Sequence, residues 1–254
     1  MDFGIIRRGI NHYHTRLAAF IKEKKHYAWG TRVKYMFYFN ETSDTLVVSF
    51  PGCSPNSAKY NYMRTLLPFK CNKLFLLDDF GDNHQGCYLI EDNTEKCVIE
   101  LIESIVKKTK AKTIIFLGSS KGGYSALNFS FLIPNVTVVI GAPQYYLGKY
   151  LDTPGTLTNL KYIIGDEITA EKKDRLDNRL RQQILNSRYK PKHVYIHYSE
   201  KEHTYPDHVK DMLTDLRKAN IDITEDIKDY PEHEQLVEYY PAFLKSVCSQ
   251  IINQ

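Results

Sequence analysis

Residues 118–122, Gly-Ser-Ser-Lys-Gly, are the part of this sequence best suited to chemistry, with Ser120 at their centre. An apolar run precedes them and a helix-favouring run follows, so Ser120 is predicted to stand on a sharp strand-to-helix turn. Such a turn needs small neighbours, because the two elements approach closely and the backbone at the serine is strained. It also puts Ser120 at a helix N-terminus, where amide groups and the helix dipole favour developing negative charge. We therefore predict that Ser120 is a nucleophile that forms a covalent acyl intermediate.

A general base must activate this serine, because a serine hydroxyl is a weak nucleophile at neutral pH. His233 is predicted as the base, since it lies in the loop between the last predicted strand and the final predicted helix. That position agrees with the chain order serine, acid, histidine. His203 and His208 follow too closely on the loop that is expected to carry the acid.

The acid is expected in the loop after the predicted strand 193–198. A carboxylate there would hold the tautomer of the imidazole and stabilise the imidazolium. Glu202 is predicted for this role, because such acids usually lie a few residues beyond the end of the strand. Glu200 remains an alternative, and Asp207 a more distant one.

An oxyanion hole needs two backbone donors. The N–H of Lys121, directly after the nucleophile, is predicted as one. The other is expected after the strand 45–50, where Pro51 has no N–H, so Gly52 or Cys53 is predicted, with Phe50 as a further candidate. Cys53 itself is interpreted as a small packed residue, since no histidine is placed to activate its thiol.

The elements that must position these residues alternate between strand and helix through most of the chain. Such an alternation predicts an α/β fold with a mainly parallel sheet and helices on both faces. The turn-forming residues 40–44 predict that the first two strands form a hairpin or lie side by side. Predicted strands are 33–39, 45–50, 73–78, 113–117, 136–140, 193–198 and 221–227; predicted helices are 10–27, 60–67, 96–108, 122–131, 206–219 and 234–252.

Composition narrows the class of protein. The chain has 254 residues, 34 basic and 30 acidic, and its formal charge of +4 is too small to indicate a nucleic-acid partner. Five cysteines without a C-x-x-C pair argue against a disulfide framework and a metal site. The length predicts one domain, 1–254. No signal peptide and no long apolar run is recognised, which predicts a reduced protein in the cytoplasm without a membrane segment.

Four motifs together carry a resemblance to a known family. They are residues 59–62 (Lys-Tyr-Asn-Tyr), 117–123 (Leu-Gly-Ser-Ser-Lys-Gly-Gly), 141–144 (Gly-Ala-Pro-Gln) and 201–205 (Lys-Glu-His-Thr-Tyr). They resemble motifs of the α/β-hydrolase-like proteins of bacterial capsule biosynthesis, and the similarity is collinear from about residue 45 to the end. The resemblance implies an α/β-hydrolase fold, Ser120 as nucleophile, an acid within 201–205 and His233 as base. This chain departs from the family at the acid, where it has Glu202 and His203 in place of two aspartates.

The resemblance also implies a reaction. It is the transfer of acetyl from acetyl-CoA, as a substrate and with no bound cofactor, to a hydroxyl of a capsular or related surface polysaccharide through acetyl-Ser120. An anionic polymer and the capsule biosynthesis machinery are the partners that this implies. An esterase or deacetylase with the same triad, and a non-catalytic assembly protein of capsule or glycan export, are the alternatives.

Residues 145–188 are predicted to form a helical insertion, at the point of the chain where this fold commonly places a lid. The basic residues Arg179 and Arg181 are candidates for a rim that attracts an anionic polymer or the phosphates of CoA. Interleaved acidic residues at salt-bridging spacings favour instead an ordinary solvated helical face.

Overall fold

The computed structural model describes residues 22–54, 57–81 and 84–252, and its central feature is a sheet of eight strands in this described part. The order of the strands is β1-β2-β4-β3-β5-β6-β7-β8. β2 is antiparallel to β1 and to β4, and all other neighbouring pairs are parallel. The strands are β1 (Glu23–Ala28), β2 (Thr31–Tyr38), β3 (Thr45–Ser49), β4 (Asn72–Leu77), β5 (Thr113–Ser119), β6 (Val136–Gly141), β7 (His193–Tyr198) and β8 (Ile223–Ile227).

Helices cover both faces of this sheet, as the sequence predicts. They are α1 (Met63–Leu66), α2 (Asp92–Thr109), α3 (Lys121–Ser130), α4 (Leu147–Tyr150), α5 (Leu157–Ile164), α6 (Ala170–Asn186), α7 (Lys210–Lys218) and α8 (Leu236–Ile252). A π-helical turn (Tyr205–Val209) leads into α7, and a 3-10 turn (His233–Gln235) leads into α8. The buried side chains of α2, α3, α6 and α7 belong to one hydrophobic cluster, and those of α1 and α8 to a second.

The central strands are apolar on both faces because both faces are covered. In β5, Ile114 and Phe116 pack in the first cluster, whereas Ile115 and Leu117 pack in the second. This alternation follows from the period of two along a strand. The continuous apolar run before Ser120 is therefore a strand in the middle of the sheet, and it ends directly at the nucleophile.

Two expectations from the sequence are wrong. The predicted strands 33–39 and 45–50 do not pair, because β4 lies between β2 and β3. The side chain of Asn72, the first residue of β4, stabilises this insertion by accepting from Asn40 N–H at 2.9 Å and donating to Ser43 O at 2.8 Å. The predicted helix 10–27 is a strand from Glu23 onward, and its earlier part lies outside the described residues.

The hairpin of the sheet is formed instead by β1 and β2. Trp29 and Gly30 connect them, with φ angles of 55° and 73°. Left-handed residues of this kind match the twist of a two-residue hairpin loop.

The insertion predicted at 145–188 corresponds to α4, α5 and α6, which lie in sequence between β6 and β7. None of the helices in the described ranges is both long and apolar enough to cross a membrane.

The turn between β5 and α3 depends on two glycines. A Cβ at Gly118 would lie 2.4 Å from the carbonyl carbon and oxygen of Gly122, and a Cβ at Gly122 would lie 2.5 Å from Phe50 O. No side chain fits at such distances, so the strand and the helix can cross this closely only because both positions are glycine.

We expect Gly118→Ala to lower the free energy of unfolding by about 1–3 kcal/mol, because the new methyl group overlaps backbone atoms that cannot move independently. Gly155→Ala is the matched control, since a Cβ there has no neighbour within 4 Å, and its effect should stay within about 0.5 kcal/mol. Urea titration of both variants measures the difference. Equal stability of the two would contradict the steric argument.

Candidate active site

Ser120 lies at the tip of the strand-to-helix turn in a strained conformation, with φ 52° and ψ −121°. Its N–H donates to Gly141 O at 2.8 Å, which ties the turn to the end of β6. Its carbonyl accepts from Gly123 N–H and Tyr124 N–H, the first hydrogen bonds of α3. A non-glycine residue with positive φ costs free energy and persists only where its surroundings hold it. The turn thus presents the Ser120 hydroxyl at the carboxyl edge of the sheet.

Ser120, His233 and Glu202 form a continuous chain of hydrogen bonds. Ser120 Oγ lies 3.0 Å from His233 Nε2, and His233 Nδ1 lies 2.7 Å from Glu202 Oε2. The carboxylate can only accept, so Nδ1 carries the proton and Nε2 of the neutral imidazole is the acceptor. The Ser120 O–H then donates to Nε2. This is the arrangement that a general base needs in order to remove a proton from a serine.

Glu202 is only 1% exposed, and both of its oxygens have partners. Oε2 faces His233, and Oε1 accepts a hydrogen bond from the Thr204 hydroxyl. The competing acids are placed differently, since Glu200 and Asp207 are both exposed. The structure therefore brings Glu202, and not its neighbours, into contact with the imidazole.

The loops that carry Glu202 and His233 are held together beneath the site. Ser199 Oγ donates to Tyr230 O at 2.6 Å, and Tyr230 N–H donates to Ser199 Oγ at 3.2 Å. The Tyr230 hydroxyl also lies 3.2 Å from Nε2 of the buried His197, whose Nδ1 is 2.7 Å from Asp226 Oδ2. These contacts fix the separation of the acid loop after β7 and the histidine loop before α8.

The alternative bases considered from the sequence, His203 and His208, are not positioned as bases for Ser120. His208 is buried, its Nδ1 accepts from Tyr146 N–H at 3.3 Å, and burial lowers its pKa to about 4. His203 is exposed, and its ring lies 5.6 Å from the ring of His233.

The predicted oxyanion donors differ in availability. Lys121 is the first residue of α3, so its N–H has no partner within the helix. Gly52 N–H donates to Asn61 Oδ1 at 3.1 Å, and Phe50 N–H donates to Leu117 O at 2.9 Å, so these two predicted donors are already engaged. Among these predicted second donors, Cys53 N–H is the one with no hydrogen-bond acceptor in the described residues, so it remains the candidate. The interpretation of Cys53 as a packed residue is wrong, because its side chain is exposed and lines the cavity beside Ser120.

A buried ion pair lies directly behind the nucleophile. Lys121 Nζ is 2.8 Å from Asp78 Oδ2 and 2.9 Å from Gln85 O, and Asp78 Oδ1 accepts from Cys87 N–H at 2.9 Å. The side chains of Lys121 and Asp78 are 4% and 1% exposed. The pair anchors the first residue of α3 to the loop after β4, and that loop passes close enough that a Cβ at Gly86 would lie 2.2 Å from Lys121 Nζ.

No pattern in the sequence assigned a role to three polar residues of the site, Gln144, Tyr62 and Asn61. Gln144 Nε2 donates to Ser120 Oγ at 2.8 Å. The Tyr62 hydroxyl lies 2.5 Å from Ser119 Oγ, and Asn61 holds Gly52 as described. All three belong to motifs that carry the family resemblance, which was the only signal for them in the sequence.

A small cavity of about 30 Å³ opens at Ser120. Its walls include Tyr88, Tyr150 and Leu151 as well as the polar side chains of Gln144 and Asn159. A space of this size holds a water molecule or another small group. Tyr150, Leu151 and Asn159 come from the insertion between β6 and β7, which therefore forms part of the wall.

The structure does not place Arg179 and Arg181 in this cavity, and the prediction of a substrate-binding rim is not supported by their contacts. Arg179 binds both oxygens of Glu95, at 2.6 and 2.7 Å, and Arg181 Nε lies 3.2 Å from Asp215 Oδ2. Both guanidinium groups thus attach the helix α6 to α2 and α7, and their acidic partners lie outside α6.

Comparison with known proteins was made by sequence and by structure. By sequence, no protein-family model and no curated protein matches the chain. By structure, it is similar to the capsule O-acetyltransferase of Neisseria meningitidis serogroup A, with a TM-score of 0.72 and 20% identity over 89% of this chain and 98% of that one. A mutant of that enzyme in complex with CoA gives 0.71 at 19% identity, covering 87% and 95% of the two chains.

Two further structures are similar over 91% of this chain. Fluorophosphonate-binding serine hydrolase F of Staphylococcus aureus has a TM-score of 0.64 at 14% identity and is covered over 98% of its length. The glycosylation-associated protein complex Gap123 of Streptococcus agalactiae has a TM-score of 0.69 at 16% identity, over 47% of that chain. The fold is that of the α/β-hydrolases. These similarities confirm the predicted fold class.

We expect Lys121→Met to lower the free energy of unfolding by about 3–5 kcal/mol, because it leaves the Asp78 carboxylate buried without its counter-charge. Lys112→Met is the matched control, since Lys112 pairs with Asp44 at 3.2 Å with both side chains exposed, and its loss should cost well under 1 kcal/mol. Denaturant titration of both variants gives the comparison. Similar losses for the two substitutions would contradict a structural role of the buried pair.

Proposed function

We propose that this protein is an O-acetyltransferase that moves acetyl from acetyl-CoA to a hydroxyl of a capsular or related surface polysaccharide. The observation that carries the proposal is the hydrogen-bonded chain from Ser120 Oγ through His233 to the buried Glu202. The similarity to a capsule O-acetyltransferase, and to its complex with CoA, supports the choice of acyl group and donor. The proposal implies that the reaction takes place in the cytoplasm, where acetyl-CoA is made.

The first half of the reaction forms acetyl-Ser120. His233 Nε2 takes the hydroxyl proton while Oγ attacks the thioester carbonyl, and the tetrahedral intermediate expels CoA thiolate, which receives that proton. The N–H groups of Lys121 and Cys53 stabilise the oxyanion, and Glu202 stabilises the imidazolium. In the second half, His233 takes the proton of a sugar hydroxyl, the sugar oxygen attacks the acetyl carbon, and the C–Oγ bond breaks as Oγ regains a proton.

The size of the cavity supports a short acyl group. The cavity beside Ser120, between Tyr88, Tyr150 and Leu151, is small, which agrees with a short acyl group.

Brief exposure to acetyl-CoA should add one acetyl group to Ser120, detected by mass spectrometry of the intact protein and of its peptides. Ser120→Ala should abolish acetylation at position 120, because alanine has no hydroxyl. Ser119→Ala is the matched control, since Ser119 Oγ contacts Tyr62 and not His233, and it should retain labelling. Release of CoA that requires a glycan supports transfer. A protein that is inert to acetyl-CoA yet hydrolyses simple acetyl esters would be an esterase instead.

Glu202→Gln should reduce turnover of 4-nitrophenyl acetate by roughly 10³–10⁴-fold, because an amide no longer fixes the required tautomer of His233 or stabilises its charged form. Glu200→Gln, two residues earlier and exposed, is the control and should stay within a factor of about two. Steady-state rates of both variants test the assignment. If Glu200→Gln lost most of this activity while Glu202→Gln kept it, the acid of the triad would be Glu200.

A further inference from the structure

Gln144 is held rigidly against the nucleophile. It follows β6 in a segment whose Ala142 N–H donates to His197 O at 2.8 Å and whose Pro143 packs against Gly123, where a Cβ would lie 3.1 Å from the Pro143 Cβ. Gln144 itself is 1% exposed. Its side chain therefore meets Ser120 from a fixed backbone, on a different strand end from the one that leads to Glu202.

The hydrogen bonds at Ser120 determine which end of the Gln144 amide faces it. The single hydroxyl proton of Ser120 donates to His233 Nε2, so any other partner of Oγ must be a donor. Gln144 Nε2 supplies that donor at 2.8 Å. The N–H end of the Gln144 amide is thus directed to Ser120.

The other end of the same amide has no partner. Gln144 Oε1 is fully buried and accepts no hydrogen bond from the described residues. A buried carbonyl without a partner is costly, so the position of this amide is not explained by its oxygen. The amide contacts the site through its N–H end, which faces Ser120.

We propose that Gln144 is a further catalytic residue, which donates from Nε2 to Ser120 Oγ while negative charge develops on that oxygen. This role rests on the part of the proposed function that makes Ser120 the nucleophile, and not on the identity of the acyl donor or of the acceptor.

The donor end acts whenever charge develops on Oγ. During attack, the O–H bond of Ser120 breaks toward His233 and Oγ gains negative character before its bond to the acyl carbon is complete. During deacylation, the C–Oγ bond breaks and Oγ carries that charge again until His233 returns a proton. A hydrogen bond from Gln144 stabilises Oγ at both points, since charge-assisted hydrogen bonds are stronger than neutral ones.

The test compares wild type with Gln144→Met, which preserves the length of the side chain and removes both hydrogen-bonding ends. Labelling by a fluorophosphonate probe reports attack by Ser120 alone, because Oγ displaces fluoride from phosphorus. We expect Gln144→Met to slow labelling about ten-fold or more, which corresponds to the loss of one hydrogen bond. Gln183→Met is the matched control, since Gln183 on α6 also has a buried, unpartnered amide oxygen and does not line the Ser120 cavity.

Gln144→Glu separates a catalytic contact from a structural one. An ionised carboxylate cannot donate to Oγ, whereas a protonated carboxyl can. Its labelling rate, divided by the wild-type rate at each pH, should therefore rise as the pH falls from 8 to 5. A ratio that does not change with pH, or labelling of Gln144→Met within two-fold of wild type, would overturn the donor role. Thermal unfolding of each variant verifies that it is folded.

If acetyl-CoA proves not to be the donor, the proposed function fails, while the fluorophosphonate result still decides the role of Gln144.

Discussion

The site depends first on the backbone turn at Ser120, whose positive φ is maintained by its surroundings and not by its own preference. Gly118 and Gly122 allow the strand and the helix to cross, and the hydrogen bond from Ser120 N–H to Gly141 O attaches the turn to the next strand. Behind it, the pair of Lys121 and Asp78 fixes the start of α3. The distances from Ser120 Oγ to His233 and Gln144 have their short values only while this turn is in place.

The sequence was sufficient for most of the fold, because burial leaves a local signature. Runs such as 114–117 are apolar at every position, and only strands covered on both faces have this pattern. The pairing of strands is different, since it depends on partners far along the chain. The turn at 40–44 exists, yet the strands on either side of it are separated by β4, and the contacts of Asn72 that stabilise this arrangement have no sequence signature. Local patterns therefore predicted the elements but not the order at this edge of the sheet.

The same difference between local patterns and long-range contacts applies to the candidate site. Ser120, Glu202 and His233 could be proposed because each follows the end of a strand, and the carboxyl ends of parallel strands lie at one edge of the sheet. Asp78 and Gln144 also follow strands, but a carboxylate or an amide in a loop has no spacing that distinguishes it. Arg179 shows the opposite case, since its charge was visible in the sequence while its partner Glu95, 84 residues away, was not. The charge pattern offered a binding rim as a candidate and favoured a solvated helical face, whereas the structure pairs Arg179 with Glu95 of another helix.

The position of β3 in the sheet has a consequence for synthesis of the chain. All five residues of β3 are buried, and both of its neighbours, β4 and β5, come later in the sequence. During translation this apolar strand cannot complete its pairing until residues 113–119 have left the ribosome. Non-local parallel pairing of this kind is slow and leaves unpaired apolar segments exposed. The strand that leads to the Cys53 loop is therefore a segment that a nascent chain leaves exposed until β5 has emerged, which makes it a target for chaperones.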